Sequence, residues 1–181
     1  MKDLFFEYYN YFILLIIFLS IIFGVLLFKK RHRYRIKKGK EILKKIKSFK
    51  GDNYEVRIIN YLRKIDPFTF EELLLTLFEN SGCKITRNKK YTGDGGIDGK
   101  FKFKNKNYFI QAKRYSNYIK PSDIQNFANI CHLNKVYGLF IHTGKSGKAM
   151  ESILENNIHI IVISPTELVD FIINGRIKIS N

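Results

Sequence analysis

Three patterns of hydrophobic and polar residues divide this chain. Residues 11–28, YFILLIIFLSIIFGVLLF, contain no charged side chain. Between residues 29 and 65, apolar side chains recur at helical spacing among many lysines. Beyond residue 66, short apolar runs alternate with amphipathic segments. The patterns predict a membrane helix, a basic helical connector at 29–65 and an α/β domain at 66–181.

The apolar run approaches the roughly 20 residues that cross a bilayer as a helix. A buried helix of a soluble domain is disfavoured, because the run is apolar on every side. A cleaved signal peptide is disfavoured, because Asp3 and Glu7 precede the run and no small-residue cleavage site follows it. We predict a short extracytoplasmic tail at residues 1–10 and a single transmembrane helix at 11–28.

The positive charge of the chain is concentrated beside the predicted span. The formal net charge is +16, and residues 29–50 contain twelve Lys or Arg and one acid, Glu41. Such a flank stays in the cytoplasm and attracts anionic lipid, which predicts a cytoplasmic C-terminal domain. Residues 51–181 carry the smaller charge of +6, which is compatible with DNA binding but does not establish it.

The distal domain is predicted to alternate helices and strands. Either Asp66 with Pro67, or Thr69 with Glu72 as a capping box, begins its first helix, which ends at residues 80–82. The following elements give the order αβββαβαβα, typical of a mixed α/β sheet flanked by helices. We predict strands at 83–91, 100–104 and 108–113 with a turn at 105–107, then a helix at 121–133, a strand at 136–142, a helix at 145–156, a strand at 158–163 and a helix at 165–173.

The stretch GDGGIDGKFKFKNKNYFIQAKRY carries the candidate chemistry. Gln111 and Lys113 alternate on one strand and therefore share a face, and a hairpin would bring Asp98 beside them. The Asp98 carboxylate, the Gln111 amide and the Ala112 carbonyl offer the oxygen ligands that Mg²⁺ prefers. Lys113 could orient or deprotonate a water molecule. Each residue alone also has a structural explanation, so the prediction depends on their joint spacing.

Four segments resemble the Mrr-like restriction endonuclease domain, a branch of the PD-(D/E)xK nuclease superfamily: FEELLLTLFENSG, YTGDGGIDGKF, YFIQAKRY and VYGLFIHTGKSGKA. The resemblance covers about residues 66–174. It implies that Asp98 binds the metal and that Lys113 is the motif lysine. It implies that Gln111 replaces a more usual acidic residue. It also implies a contribution from Glu71, with Glu72 as a weaker candidate.

The same resemblance implies a Mg²⁺-dependent deoxyribonuclease, with Mn²⁺ as the alternative ion, similar to type IV restriction endonucleases. Its role would be restriction of foreign double-stranded DNA, including modified DNA. We predict DNA contacts by Arg114, Lys145 and Lys148. Two alternatives stay open: a non-catalytic DNA-binding or tethering module with this fold, and a structural lipid-binding membrane protein. A homodimer also stays open.

Cysteine and histidine residues suggest no further site. Cys83 and Cys131 lie in separate segments without zinc-ligand spacing. The histidines are scattered, and we predict ordinary surface or edge positions for all of them: His32, His132, His142 and His159.

Overall fold

The computed structural model describes residues 2–88 and 95–175 together with 177 and 179, and side chains from Tyr9 onward except at residue 10. The elements, in chain order, are α1 (Lys2–Lys47), α2 (Tyr54–Lys64), α3 (Pro67–Asn80), β1 (Lys84–Arg87), β2 (Gly99–Phe103), β3 (Lys106–Lys113), α4 (Pro121–Leu133), β4 (Tyr137–His142), α5 (Lys148–Glu155), β5 (Ile160–Ile163) and α6 (Pro165–Asn174).

The five strands form one mixed sheet in the order β1-β2-β3-β4-β5. The β1–β2 and β2–β3 pairs are antiparallel, whereas β3–β4 and β4–β5 are parallel. From α3 to α6 the element order is αβββαβαβα. The predicted order and the predicted mixed α/β sheet are therefore confirmed.

Several predicted boundaries are wrong by a few residues. The β2–β3 turn lies at Lys104 and Asn105, which have φ angles of 45° and 63°, and not at 105–107. Positive φ at both central positions suits the twist of a two-residue hairpin. Helix α5 starts at Lys148 behind the N-cap Gly147 rather than at residue 145. Part of the predicted strand 83–91 lies outside the described residues.

The start of α3 distinguishes between the two predicted caps. Asp66 is the N-cap, Pro67 follows it, and the Asp66 carboxylate accepts a hydrogen bond from the Thr69 amide at 2.9 Å. The capping box of Thr69 with Glu72 is wrong, because Thr69 already lies inside the helix. At the other end Gly82, with φ +84°, reverses the chain towards β1.

The predicted span and the first part of the connector form a single uninterrupted helix, α1. The side chains of residues 11–28 are exposed. By length and composition alone, this part of α1 could cross a membrane. A helix rises 1.5 Å per residue, so His32, which contacts the domain, lies about 6 Å beyond Phe28 along the axis.

The rear part of α1 packs on α3. Ile42, Leu43 and Ile46 are buried in the same apolar cluster as α3 and the sheet. Gly39 lets the two helices approach closely, because an added Cβ would lie 3.0 Å from the backbone nitrogen of Leu73. The basic segment therefore forms part of the domain's core, which the sequence pattern does not predict.

One face of the sheet, here called the covered face, packs against α3 and α6, and α1 lies outside α3. Its strand side chains join the larger apolar cluster of the protein. Helix α3 therefore lies between α1 and the sheet, and nine of its residues are buried, including Glu72 and Thr76. The strand side chains that define this face are Phe101, Tyr108, Ile110, Leu139 and Ile141.

The opposite face, here called the site face, is only half covered. Helix α4 packs Phe127, Ala128 and Cys131 against Phe109 and Phe140 of the central strands. Along β1 and β2, every second side chain is exposed on this side. The exposed side chains there are Lys84, Thr86, Lys100 and Lys102.

Candidate active site

Strand β3 places Gln111 and Lys113 on the site face, as their spacing predicts. Phe109, two residues before Gln111, packs in the α4 cluster, whereas Ala112 packs on the covered face. Gln111 is buried and Lys113 is half-buried. Both lie near the C-terminal end of β3, where the helical cover gives way to the surface.

The structure brings Asp98 to the same end of the sheet. Its amide donates to the Ile110 carbonyl at 2.8 Å, which places it one residue before the Gly99–Ile110 pair of β2 and β3. Its carboxylate oxygen Oδ2 accepts a hydrogen bond from the Ala112 amide at 2.6 Å. The hairpin therefore joins the aspartate to the strand of Gln111 and Lys113.

The Gln111 amide group is held with its oxygen unpaired. Nε2 donates to the Gly96 carbonyl at 2.8 Å, and this acceptor fixes which end of the amide is which. Gly96 has φ +82°, and a Cβ there would lie 2.7 Å from Nε2. The other atom, Oε1, is buried and has no hydrogen-bond partner in the described part of the chain.

Ala112 connects the two side chains through its backbone. The N–H and C=O of one strand residue point to the same side of the strand. Since the Ala112 amide binds Asp98, its carbonyl is directed to the same side. Carboxylate, amide and carbonyl oxygens thus occur on three residues that the backbone holds together.

Lys113 has a buried histidine as its neighbour on the next strand. Lys113 pairs in register with His142 of β4. The His142 side chain is fully buried, and the centre of its ring lies 6.3 Å from the centre of the Phe140 ring. Neither ring nitrogen has a hydrogen-bond partner of normal geometry among the described residues. Burial lowers the pKa of His142, which the nearby Gly144 backbone and the Glu167 carboxylate oppose. The prediction of a surface or edge position is wrong for His142.

The two glutamates of α3 differ in their surroundings. Glu71 is half-buried, and its predicted role in the site stays a prediction. Glu72 is buried and is bound by Arg87 at 3.0 Å and by His32 of α1 at 3.7 Å. Arg87 also binds Glu79 with two hydrogen bonds, and the Arg87 guanidinium lowers the pKa of Glu79. Glu72 therefore links α1, α3 and β1.

The predicted DNA contacts are spread over the site end of the sheet. The Arg114 guanidinium donates to the backbone carbonyls of Arg63 and Ile65 and so fastens the end of α2. Lys145 is exposed, with its Nζ 5.9 Å from the centre of the Tyr118 ring, and Lys148 is exposed at the start of α5. Their contacts with DNA stay predictions.

The residues present fit a hard divalent cation on one observation: the buried Gln111 Oε1 has no hydrogen-bond partner among the described residues and lies on the strand whose Ala112 amide binds Asp98. Within residues 2–88 and 95–175, no group of three His, Cys, Asp or Glu side chains could hold a metal. A site here must therefore combine carboxylate with amide or backbone oxygens, which Mg²⁺ accepts.

Sequence reasoning missed His142 and the Glu72–Arg87 pair. The run VYGLFIH predicts a buried strand, and its last residue shares the parity of Phe140, so the burial of His142 could have been found. The ion pair could not, because it depends on β1 lying beside α3 and on α1 covering that helix.

Two comparisons with known proteins found similarity to restriction endonucleases. The family model Mrr_cat, described as restriction endonuclease, matches residues 62–172. Among solved structures, that of restriction endonuclease FokI is similar at 16% identity with a TM-score of 0.45, covering 76% of this chain and 31% of that chain. The present chain thus spans about a third of that structure's length. No curated protein matches the chain.

Proposed function

Because the matched family model spans more than half of the chain, the protein belongs to the Mrr_cat restriction endonuclease family, and we propose that it is a membrane-anchored, Mg²⁺-dependent DNA endonuclease. One observation carries the metal dependence. The Asp98 carboxylate is bonded to the backbone of Ala112, beside a buried Gln111 oxygen that lacks a partner among the described residues.

The proposed ion would be held by Asp98, Gln111 Oε1 and the Ala112 carbonyl, with Mn²⁺ as an alternative to Mg²⁺. A bound divalent ion supplies positive charge for phosphoryl oxygens and lowers the pKa of coordinated water. Asp98 provides the negative charge that attracts the ion. Gln111 adds a neutral oxygen, so affinity should depend more heavily on Asp98, and on Glu71 if that side chain reaches the site.

Lys113 acts on the DNA rather than on the ion. Its ammonium would donate hydrogen bonds to the phosphate that is cut and stabilise the charge that develops in the transition state. It could also orient the attacking water. The half-buried position of Lys113 at the end of β3 allows the head group to reach solvent while the stem stays packed.

Substitution of the site residues tests catalysis. Asp98→Asn and Lys113→Ala in the full chain should each slow Mg²⁺-dependent cleavage of double-stranded DNA by at least about 100-fold, the effect of losing one catalytic group. Lys135→Gln, at an exposed position after α4, is the matched control and should cut at the parent rate. Parent-rate cleavage by both site variants, with unchanged melting temperatures, would show that the site is elsewhere.

The rival function is a non-catalytic module that binds or tethers DNA. It is favoured only by the neutral Gln111, which leaves the site with one fewer carboxylate. Purified full-length protein that binds DNA but never cuts it, in Mg²⁺ or Mn²⁺, would establish the rival. Comparing modified with unmodified DNA in the same assay tests the proposed type IV specificity.

The membrane anchor is supported by the exposed apolar part of α1 and the basic residues after it. We propose one crossing over residues 11–28, with the N-terminus outside and the nuclease domain in the cytoplasm. A reporter fused after Asn181 should be active only inside the cell. A reporter active only outside would refute this topology and would separate the domain from cytoplasmic DNA.

A further inference from the structure

We propose that the exposed half of the site face, formed by β1 and β2, binds the phosphate backbone of the DNA duplex through Lys84, Lys100 and Lys102. This inference rests on the proposed function and adds a contact surface to it. None of these lysines is among the contacts predicted from the sequence. We call the surface the lysine face.

The lysine face continues the surface that carries the candidate site. Side chains of one strand alternate between the two faces, so Lys100 and Lys102 share a side of β2, and Asp98 directly precedes that strand. The cross-strand register sets Lys100 beside Phe109, and the Lys100 Nζ lies 4.8 Å from the centre of that ring. Phe109 in turn precedes Gln111 on the same side of β3.

The lengths involved suit neighbouring phosphates of one duplex. Strand residues rise about 3.4 Å each, so Lys100 and Lys102 lie about 7 and 14 Å from Asp98 along β2. Successive nucleotides advance about 3.4 Å along the duplex axis. A phosphate near Asp98 would therefore have neighbours on the same duplex within reach of both lysines.

The charge of the lysine face has one sign. A shallow depression on it is lined by Lys84, Thr86, Lys100, Lys102 and Asn107 together with apolar groups, and none of the lining residues within the described ranges 2–88 and 95–175 is acidic. Lys84 and Lys102 are directly paired in the β1–β2 register. Like charges directly opposite each other in a sheet are unfavourable, and an anion between them removes that repulsion.

Protection of a sheet edge does not explain the pattern. Lysines on edge strands prevent unwanted strand pairing, which accounts for Lys84 on β1. Strand β2, however, is paired on both sides, with β1 and β3. A solvated sheet face would tolerate either sign of charge, whereas the described side chains lining this one are uniformly basic or neutral.

The salt dependence of DNA binding tests the proposal. The full chain in neutral detergent is titrated with a short fluorescent duplex in EDTA, at several concentrations between about 50 and 200 mM salt. Each phosphate contact contributes about 0.9 to the slope of log affinity against log salt. Combined Lys84→Gln, Lys100→Gln and Lys102→Gln should therefore lower the magnitude of that slope by about 2 to 3 and weaken binding at every salt concentration.

The control removes the same charge elsewhere. Lys47, Lys50 and Lys135 are exposed, and changing all three to Gln should leave the slope close to that of the parent. Both triple variants should melt close to the parent temperature. If the lysine-face triple variant has the same salt slope and the same DNA affinity as the control, the proposal is overturned.

Two further outcomes distinguish DNA binding by the lysine face from lipid binding and from the proposed nuclease activity. In the first, the lysine-face triple variant is placed in zwitterionic nanodiscs, and its binding to phosphatidylglycerol vesicles and to DNA is measured. If the variant loses vesicle binding but binds DNA as well as the parent does, the three lysines bind lipid and the DNA assignment is overturned. Binding is measured without divalent metal. DNA binding that depends on the three lysines would thus support the lysine face even if no variant cuts DNA, a result that would remove only the proposed nuclease activity.

Discussion

The two faces of the sheet are built for different tasks. The covered face is packed by α3 and α6, with α1 outside α3, into a continuous apolar cluster, and the buried Glu72 is paired with Arg87. On the site face, helix α4 covers only the central strands. Two buried side chains of this face, Gln111 and His142, leave polar atoms without a hydrogen-bond partner of normal geometry in the described part of the chain, whereas on the covered side this holds only for the Thr76 hydroxyl of α3.

This difference shows where stability and chemistry are separated. Buried polar groups in native proteins are nearly always hydrogen-bonded, so unpaired ones need an explanation. On the covered face the described ionic groups stabilise the packing of helices. On the site face the unpaired oxygen lies where a ligand is proposed. Substitutions on the covered face should therefore change mainly stability, and those on the site face mainly metal binding or cleavage.

The largest effect on stability is expected on the covered face. Arg87→Leu would remove the 3.0 Å ion pair to the buried Glu72 and both hydrogen bonds to Glu79. Removing one partner of a buried ion pair costs about 3 kcal/mol or more. We expect the free energy of unfolding, from urea titration followed by circular dichroism, to fall by about that amount.

Glu79→Gln is the control for the buried pair, because Glu79 is exposed and shares the same arginine. An exposed ion pair contributes at most about 1 kcal/mol. Equal losses for Arg87→Leu and Glu79→Gln would mean that the buried Glu72 gains little from Arg87, and the contrast between the two faces would be weakened.

A smaller loss is expected where α1 meets α3. Gly39→Val places a branched side chain against the backbone of Leu73, which an added Cβ already approaches to 3.0 Å. Overpacking of this kind costs about 2 kcal/mol. Gly24→Val, in the exposed apolar part of α1, is the matched control because, beyond its chain neighbours and its own helix backbone, nothing lies within 4 Å of the added Cβ. Equal melting temperatures for both variants would show that α1 is not held against the domain.

The fold was largely predictable because its signals are local. The cap at Asp66 and Pro67, the stop at Gly82 and the unbroken apolar runs of β4 and β5 each act within a few residues. The docking of α1 was not predictable, since Ile42, Leu43 and Ile46 form the same helical pattern whether the helix is free or packed. Burial of Glu72 depends on that docking, and the sequence offers no local sign of it.

The site was predictable for a different reason. Strand alternation fixes that Gln111 and Lys113 share a face, and the hairpin that follows Asp98 returns the chain to its start. Contacts between strands that are far apart in the sequence cannot be predicted from local patterns. The pairing of Lys113 with His142 depends on the parallel β3–β4 register, which a crossover through α4 sets.

The next prediction concerns metal binding on the site face. Gln111→Glu replaces the donor to the Gly96 carbonyl with a carboxylate in a buried position. Without metal this variant should melt below the parent, because two acceptors then face each other. With Mg²⁺ the added charge should strengthen binding, so half-saturation should need about tenfold less Mg²⁺, the scale of about 1.4 kcal/mol.

Thermal melting across a Mg²⁺ series measures this without any cleavage. Gln111→Leu removes the oxygen altogether and should show a smaller Mg²⁺-dependent rise in melting temperature than the parent. Lys135→Gln serves as the exposed control. Superimposable Mg²⁺ curves for all four proteins would mean that Gln111 does not face the ion.

The smallest effect is expected at His142. Leucine is of similar size and needs no hydrogen bond, so His142→Leu should raise stability near pH 7 by about 1 kcal/mol, the cost of a buried unpaired group. Burial lowers the pKa of His142 from its ordinary value of 6.5. The unfolded chain therefore binds a proton more readily than the folded one, and the parent loses stability as the pH falls through 6.5. The leucine variant lacks this loss, so its advantage in free energy of unfolding should widen between pH 7 and pH 5.

Phe140→Leu, on the same strand and face, does not titrate, and its difference from the parent should stay constant over that range. A His142→Leu difference that is equally constant would mean that the folded protein protonates this histidine as easily as the unfolded chain does.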